Sequence, residues 1–337
     1  MSTILVGGYG HYRIGQKPLA MRVPDLMLKS VGFLAERSGE TLNVVATGFF
    51  ISIPAKDQTV GGVFIAFVTA KHVAAALKDR PFVILVNKVG GGVMAVPSEV
   101  LDNCWWLHPT DKSADVAAII VNSHPDMDIA PIWYEHVLPK KDFEKRKIGI
   151  GDEVFITGLF TYAPGSTRNM PIVRHGNIAM IPDEQIQTRF GFADVYLIEA
   201  RSIGGLSGSP VLVRETVGAD GLRADGSKLT MMGLGGTYLL GLMHGHWEIN
   251  ELELNKPQYT HDPRRGVNLG VAIVVPADKI IEILERPGLK AKRDEREDNV
   301  RRARIPTPDM AKPTFTQADF DVALKKASRK IDKPRRK

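Results

Sequence analysis

Three segments of this 337-residue chain carry side chains that could together transfer an acyl group. The first runs from Phe67 through Val68, Thr69 and Ala70 to Lys71 and His72, an apolar stretch that ends at a histidine. The second places Asp115 at the mouth of the apolar run that begins with Val116. The third sets Ser207 in the turn Gly204-Gly205-Leu206-Ser207-Gly208-Ser209-Pro210, just before another apolar run. A serine hydroxyl is a weak nucleophile and must pass its proton to an imidazole, and a buried carboxylate fixes the tautomer of that imidazole and stabilises its cation. Glycines beside the serine let backbone N–H groups turn toward a developing oxyanion without a Cβ clash. Asp102 and Asp111 are rival carboxylates, but Asp115 directly precedes an apolar run, whereas Asp111 lies among Pro109, Thr110 and Lys112.

At these residues the chain resembles the trypsin-like, chymotrypsin-fold serine peptidases, especially their disulfide-free bacterial branch. The likeness lies in Thr69-Ala70-Lys71-His72, in Asp115-Val116-Ala117 and in Gly205-Leu206-Ser207-Gly208-Ser209-Pro210, in the family's order of His, Asp, Ser. Residues 151–158, 171–176, 241–246 and 268–273 match further strands of the family, so the resemblance covers roughly residues 31–285. It implies an all-β fold of two six-stranded antiparallel barrels, closed by a C-terminal helix. It also implies a serine endopeptidase acting on protein or peptide substrates with no cofactor and no metal. His72 would be the general base and later acid, Asp115 its orienting carboxylate and Ser207 the nucleophile. The N–H groups of Gly205 and Ser207 would form the oxyanion hole. Leu206 stands where zymogen-type relatives carry Asp, which argues against activation by N-terminal cleavage. Ser209, flanked by Gly208 and Pro210, suits a structural position.

The strand matching 241–246 would pair with substrate, and it brings Met243, His244, Gly245 and His246 to the cleft. Arg201, six residues before the serine, lies where the family's pocket floor sets specificity. Arg201 with His244 suggests an acidic residue at the cleaved position, and Met243 an apolar one. His244, His246 and Glu248 alternate, so a regular strand would put them on one face, as a polar wall of the cleft or a zinc site lacking its fourth ligand. A competing class is a protease-like module that grips extended peptides along residues 241–246 without turnover.

The elements that must hold these residues read as short Val-, Ile-, Phe-, Thr- or Tyr-rich runs bounded by turn residues. Strands are expected at 42–53, 63–69, 82–87, 116–121, 153–157, 172–181, 195–200, 210–213, 238–243 and 267–275. Helical spacing is expected at 70–77, 277–284 and 317–330. Residues 1–30 form an N-terminal extension and 31–285 the peptidase domain. Within it, the first barrel spans about 31–125, the second about 150–275, and a helix follows at 277–285. Residues 122–151 join the two halves, and 214–229 make a surface hairpin or loop. Residues 286–337 read as a basic linker, exposed over 286–313, with a terminal helix.

Net charge is +6, but its distribution is uneven: residues 286–337 hold 17 basic and 8 acidic residues, and the preceding 285 hold 27 and 30. The excess charge belongs to the tail, so it gives no reason to read the body as a nucleic-acid binder. The tail offers a docking segment for a partner protein or an acidic surface. It has no aromatic stacking platform, which argues against sequence-specific nucleic-acid binding. No apolar run approaches the ~18 residues of a membrane span. A single cysteine, Cys104, excludes an intrachain disulfide and suggests a reducing, cytoplasmic setting.

Overall fold

The computed structural model describes residues 23–56, 63–101, 105–188, 191–200, 205–222, 228–250 and 266–304. The chain enters through a short helix α1 (Asp25–Lys29) and builds a first sheet. Its strands are β1 (Val31–Ser38), β2 (Thr41–Pro54), β3 (Val63–Thr69), β4 (Phe82–Asn87), β5 (Val93–Pro97), β6 (Trp106–Leu107), β7 (Ala117–Val121) and β8 (Ile132–Trp133); helix α2 (Lys71–Ala76) follows β3. After helix α3 (Phe143–Arg146) come β9 (Glu153–Gly158), β10 (Ile172–Met180), β11 (Ile186–Thr188), β12 (Gly191–Ala193), β13 (Tyr196–Glu199), β14 (Pro210–Leu222), β15 (Lys228–Asn250) and β16 (Gly266–Pro276). Helices α4 (Ala277–Leu284) and α5 (Pro287–Arg304) end the described chain.

The second half closes into the expected six-stranded barrel, in the order β10-β13-β16-β15-β14-β9. The first half instead forms an eight-stranded sheet, β5-β4-β1-β2-β3-β7-β6, with β8 added in parallel to β2. Strand alternation explains how the halves join. Val154, Ile156, Val211, Val213, Ala272 and Val274 point into the barrel and fill its core. Leu212 and Val275, on the opposite face of the same strands, join the apolar core of the first sheet with α4. The sheet and the barrel are therefore bound by one continuous apolar layer. A polar clasp supports it: Asn169 N–H donates to Asn87 Oδ1 (2.7 Å), and Asn87 Nδ2 donates back to Asn169 O (3.1 Å). The hairpin expected near 214–229 is present as the paired ends of β14 and β15, from Arg214↔Thr237 to Leu222↔Lys228.

The exposed linker expected over 286–313 is corrected in its first part. Residues 287–304 form α5, and its root is packed. Leu289 is buried in the first core, Arg286 lies over the Trp106 ring and Arg293 donates to Leu284 O (3.1 Å). Farther along, Arg296 donates to Asn122 Oδ1, and Asp294 and Glu297 bind Lys56. Pro287 starts the element, fitting the first turn of a helix, where no N–H partner is required. The helix expected at 317–330 lies outside the described residues, as does Cys104. No helix among the described residues is long and apolar enough to cross a membrane.

If α5 is part of the body, truncating its anchor costs core energy. Leu289→Ala is expected to lower unfolding stability by about 2–4 kcal/mol, read as a fall in the urea midpoint. A value near zero would return α5 to the status of a linker.

Candidate active site

Strand β3 is buried on both faces and stops at Thr69. Ala70 is extended and begins α2, which places His72 in its first turn. The loop before β7 carries Asp115, whose side chain is 3% exposed. His72 meets it twice: the backbone N–H donates to Oδ1 (2.8 Å) and ring Nδ1 lies 2.7 Å from Oδ2. Asp115 thereby takes one of the N–H groups that a helix N-terminus leaves unsatisfied and fixes the imidazole in the same contact.

Asp111, the rival carboxylate, supports the site without entering it. Its Oδ1 accepts from Ser113 N, Ser113 Oγ and Ala114 N, forming the turn that presents Asp115, and Lys279 of α4 holds its other oxygen at 2.8 Å. Burial opposes ionisation of Asp111, but hydrogen bonds from Lys279 and Ser113 outweigh it and hold the carboxyl well below the usual range. Lys71 turns away from the ring, donating to Lys112 O.

A second imidazole completes the cluster. His244 Nδ1 lies 2.6 Å from the same Oδ2, and its side chain is 4% exposed. The two rings meet edge to face, 5.9 Å apart. Burial raises the affinity of Asp115 for a proton, yet the hydrogen bonds from His244 and then His72 win, and the carboxyl is held far below its ordinary value. An ionised carboxylate only accepts, so each ring meets it with a proton on Nδ1. The same three residues have ligand chemistry for a metal. Their 2.6–2.7 Å separations are hydrogen-bond lengths, however; two ligands about 2.0 Å from a tetrahedral ion stand roughly 3.3 Å apart.

This geometry corrects two expectations on β15. His244 is a buried partner of Asp115 and does not line a specificity pocket. The cause is a bulge: Met243 pairs with Val274 and Gly245 with Ile273, so His244 is the extra residue and its side chain is re-aimed. A second shift between His246 and Glu248 ends the alternation that would have set three ligands on one face. Met243 is fully buried in the barrel core and does not form a pocket wall. Gly245 is buried and paired, His246 is half-buried, and Arg201 lies outside the described residues. Glycine inside a strand often marks a bulge, so Gly245 was the signal available for the His244 geometry.

The serine turn docks against this cluster. Gly208 N–H donates to Met243 O (2.8 Å), next to His244, and Met243 N–H donates to Ser209 O. Gly205 and Gly208 have φ of +94° and +81°, and a Cβ on Gly208 would stand 2.3 Å from both Thr47 O and Thr69 Oγ1. Only glycine lets the turn approach the strand that leads to His72. Ser207 is half-buried and Ser209 is fully buried, which bars Ser209 from meeting a substrate carbonyl. Among the described residues no hydrogen bond is formed by Ser207 Oγ or by the N–H groups of Gly205 and Ser207.

Thr47 of β2, absent from the sequence reading, ties these parts together. Its Oγ1 donates to Gly205 O (2.8 Å) and accepts from Leu159 N–H (2.9 Å), its N–H donates to Ser207 O (3.2 Å), and its carbonyl accepts from Thr69 Oγ1 (2.7 Å).

The closed six-stranded barrel and the setting of His72 on Asp115 are as the sequence resemblance implied, while the first half is an eight-stranded sheet in place of a second six-stranded barrel. No protein-family model and no curated protein sequence matches the chain. Among solved structures it is similar to the apo MamO protease domain from Magnetospirillum magneticum, at 14% identity and a TM-score of 0.46, covering 78% of this chain and 100% of that one. It is also similar to the Rv3671c protease in an inactive form, at 16% identity and a TM-score of 0.38, covering 77% and 89%. A mutant of Rv3671c from M. tuberculosis H37Rv, also inactive, aligns at 16% identity and a TM-score of 0.38, covering 82% and 98%.

Two outcomes follow from the site. Thr47→Val strips partners from Gly205 O and Leu159 N–H, and is expected to cost about 2–4 kcal/mol in urea unfolding. Asp115 has a depressed folded value, so its contribution is present above the unfolded value of about 3.9 and fades as pH falls below it. Wild type should therefore lose stability from about pH 5 downward, and Asp115→Asn should flatten that part of the pH–stability curve.

Proposed function

We propose that the chain is a serine endopeptidase in which Ser207 is the nucleophile, His72 the general base and Asp115 its orienting carboxylate. The observation that carries this reading is the double contact of His72 with a buried, ionised Asp115, beside a glycine turn that presents Ser207. In the first step Ser207 Oγ attacks a peptide carbonyl as its proton passes to His72 Nε2. Asp115 offsets the positive charge that appears on the ring. The tetrahedral oxygen is received by the N–H groups of Gly205 and Ser207. His72 then protonates the leaving amine, and water attacks the acyl-enzyme with His72 again as base. The substrate strand is laid along residues 244–246, beyond Pro210↔Leu242, where β14 stops pairing with β15.

The buried position of His244 removes one of the two groups that favoured an acidic residue at the cleaved position, and the core position of Met243 removes the argument for an apolar one. Specificity therefore rests on residues other than these two.

Serine reactivity tests the proposal. A fluorophosphonate probe is expected to label the wild-type chain, to leave Ser207→Ala unlabelled, and to label His72→Ala at least about 1000-fold more slowly. A wild-type chain that stays folded and unlabelled, with peptide substrates and partners supplied, favours the peptide-gripping module instead.

A further inference from the structure

We infer that His244 is a positioning residue for His72: it locks Asp115 in place and takes a share of its charge, and so sets the pH at which the base becomes competent. The inference rests on the reading of His72 as base and deepens it.

One carboxylate oxygen receives two imidazoles. Oδ2 of Asp115 lies 2.7 Å from His72 Nδ1 and 2.6 Å from His244 Nδ1, and Oδ1 accepts the His72 backbone N–H. With three N–H donors on it, the carboxylate cannot rotate without breaking one. Each donor also draws on the charge that would stabilise an imidazolium at His72, so the two rings compete through a shared atom. His244 is delivered by the β15 bulge and is almost wholly buried, which keeps water from taking over its contact. An apolar residue there would leave Asp115 more negative toward His72, and a non-ionisable amide would keep the donor but never carry a charge.

The ionisable groups on the surrounding elements are few. Helix α2 brings His72 and Lys71, whose ammonium binds Lys112 O. Strand β15 brings His244 and His246, and the loop before β7 brings Lys112, His108, which meets Glu282 of α4, and Asp111, which Lys279 of α4 neutralises. The described part of the serine turn brings no charge.

The test is ring NMR of the full chain in a Ser207→Ala background, which reads the histidines whether or not the protein turns substrate over. In the parent protein, both His72 and His244 should carry their proton on Nδ1. A His244 ring protonated only on Nε2 overturns the inference without any further variant. Removing the donor in His244→Leu should move the His72 titration midpoint upward by about 0.5–1 pH unit. His244→Asn, which keeps an N–H near the same place, should stay closer to the parent. Equal midpoints in parent and Leu variant overturn the inference, as does an Asn variant that shifts as far as Leu. With Ser207 restored, the acid limb of fluorophosphonate labelling should move with the midpoint. Loss of labelling alone, with the ring behaviour as expected, refutes the peptidase reading and leaves the His72–His244 coupling standing.

Discussion

A carboxylate buried to 3% exposure cannot stay ionised unless the fold brings donors to it, and Asp115 is in that position. Its donors come from distant parts of the sequence. His72 begins α2 after β3, and His244 lies on a bulge of β15 in the other half of the molecule. Meeting that requirement fixes how the barrel sits on the first sheet, because β15 must reach the loop before β7. The site is thus a product of the same constraint that joins the halves.

Thr47 works from the other side of the site. It has one side-chain oxygen and two backbone groups, and all of them are used between β2, the end of β3, Leu159 just past β9 and the serine turn. With Gly208 packed against the same residue, the turn has one position available to it. Asp115 therefore holds the His72 ring while Thr47 holds the turn that carries Ser207, through contacts that share no atom.

The parts legible in the sequence were those encoded locally. Strands such as β3 and β4 are unbroken apolar runs with turn residues at both ends, and their limits match the expectation residue for residue. Ser209, flanked by Gly208 and Pro210 and expected at a structural position, is fully buried. Strand β1 was missed because its last residues, Glu36, Arg37 and Ser38, dilute the pattern. Strand β8 was missed because a two-residue parallel pairing leaves no periodicity. Met243 and His244 were placed in the cleft by the family resemblance alone, and counting by two from His244 to His246 and Glu248 fails at the register shifts of β15. Thr47 gives no local signal, since its importance comes from partners 112 and 158 residues away.

Helix α5 has a consequence for the basic segment beyond it. Docking of residues 287–304 moves part of the charge onto the body: residues 1–304 hold 35 basic and 34 acidic residues, while 305–337 hold 9 and 4. The asymmetry is then a near-neutral stretch of 304 residues followed by a segment of net charge +5. Eighteen helical residues make a rod of about 27 Å, passing Trp106, Asn122 and Lys56 in turn. Residues 305–337 therefore begin at the far end of that rod, and α5 fixes where that segment is rooted.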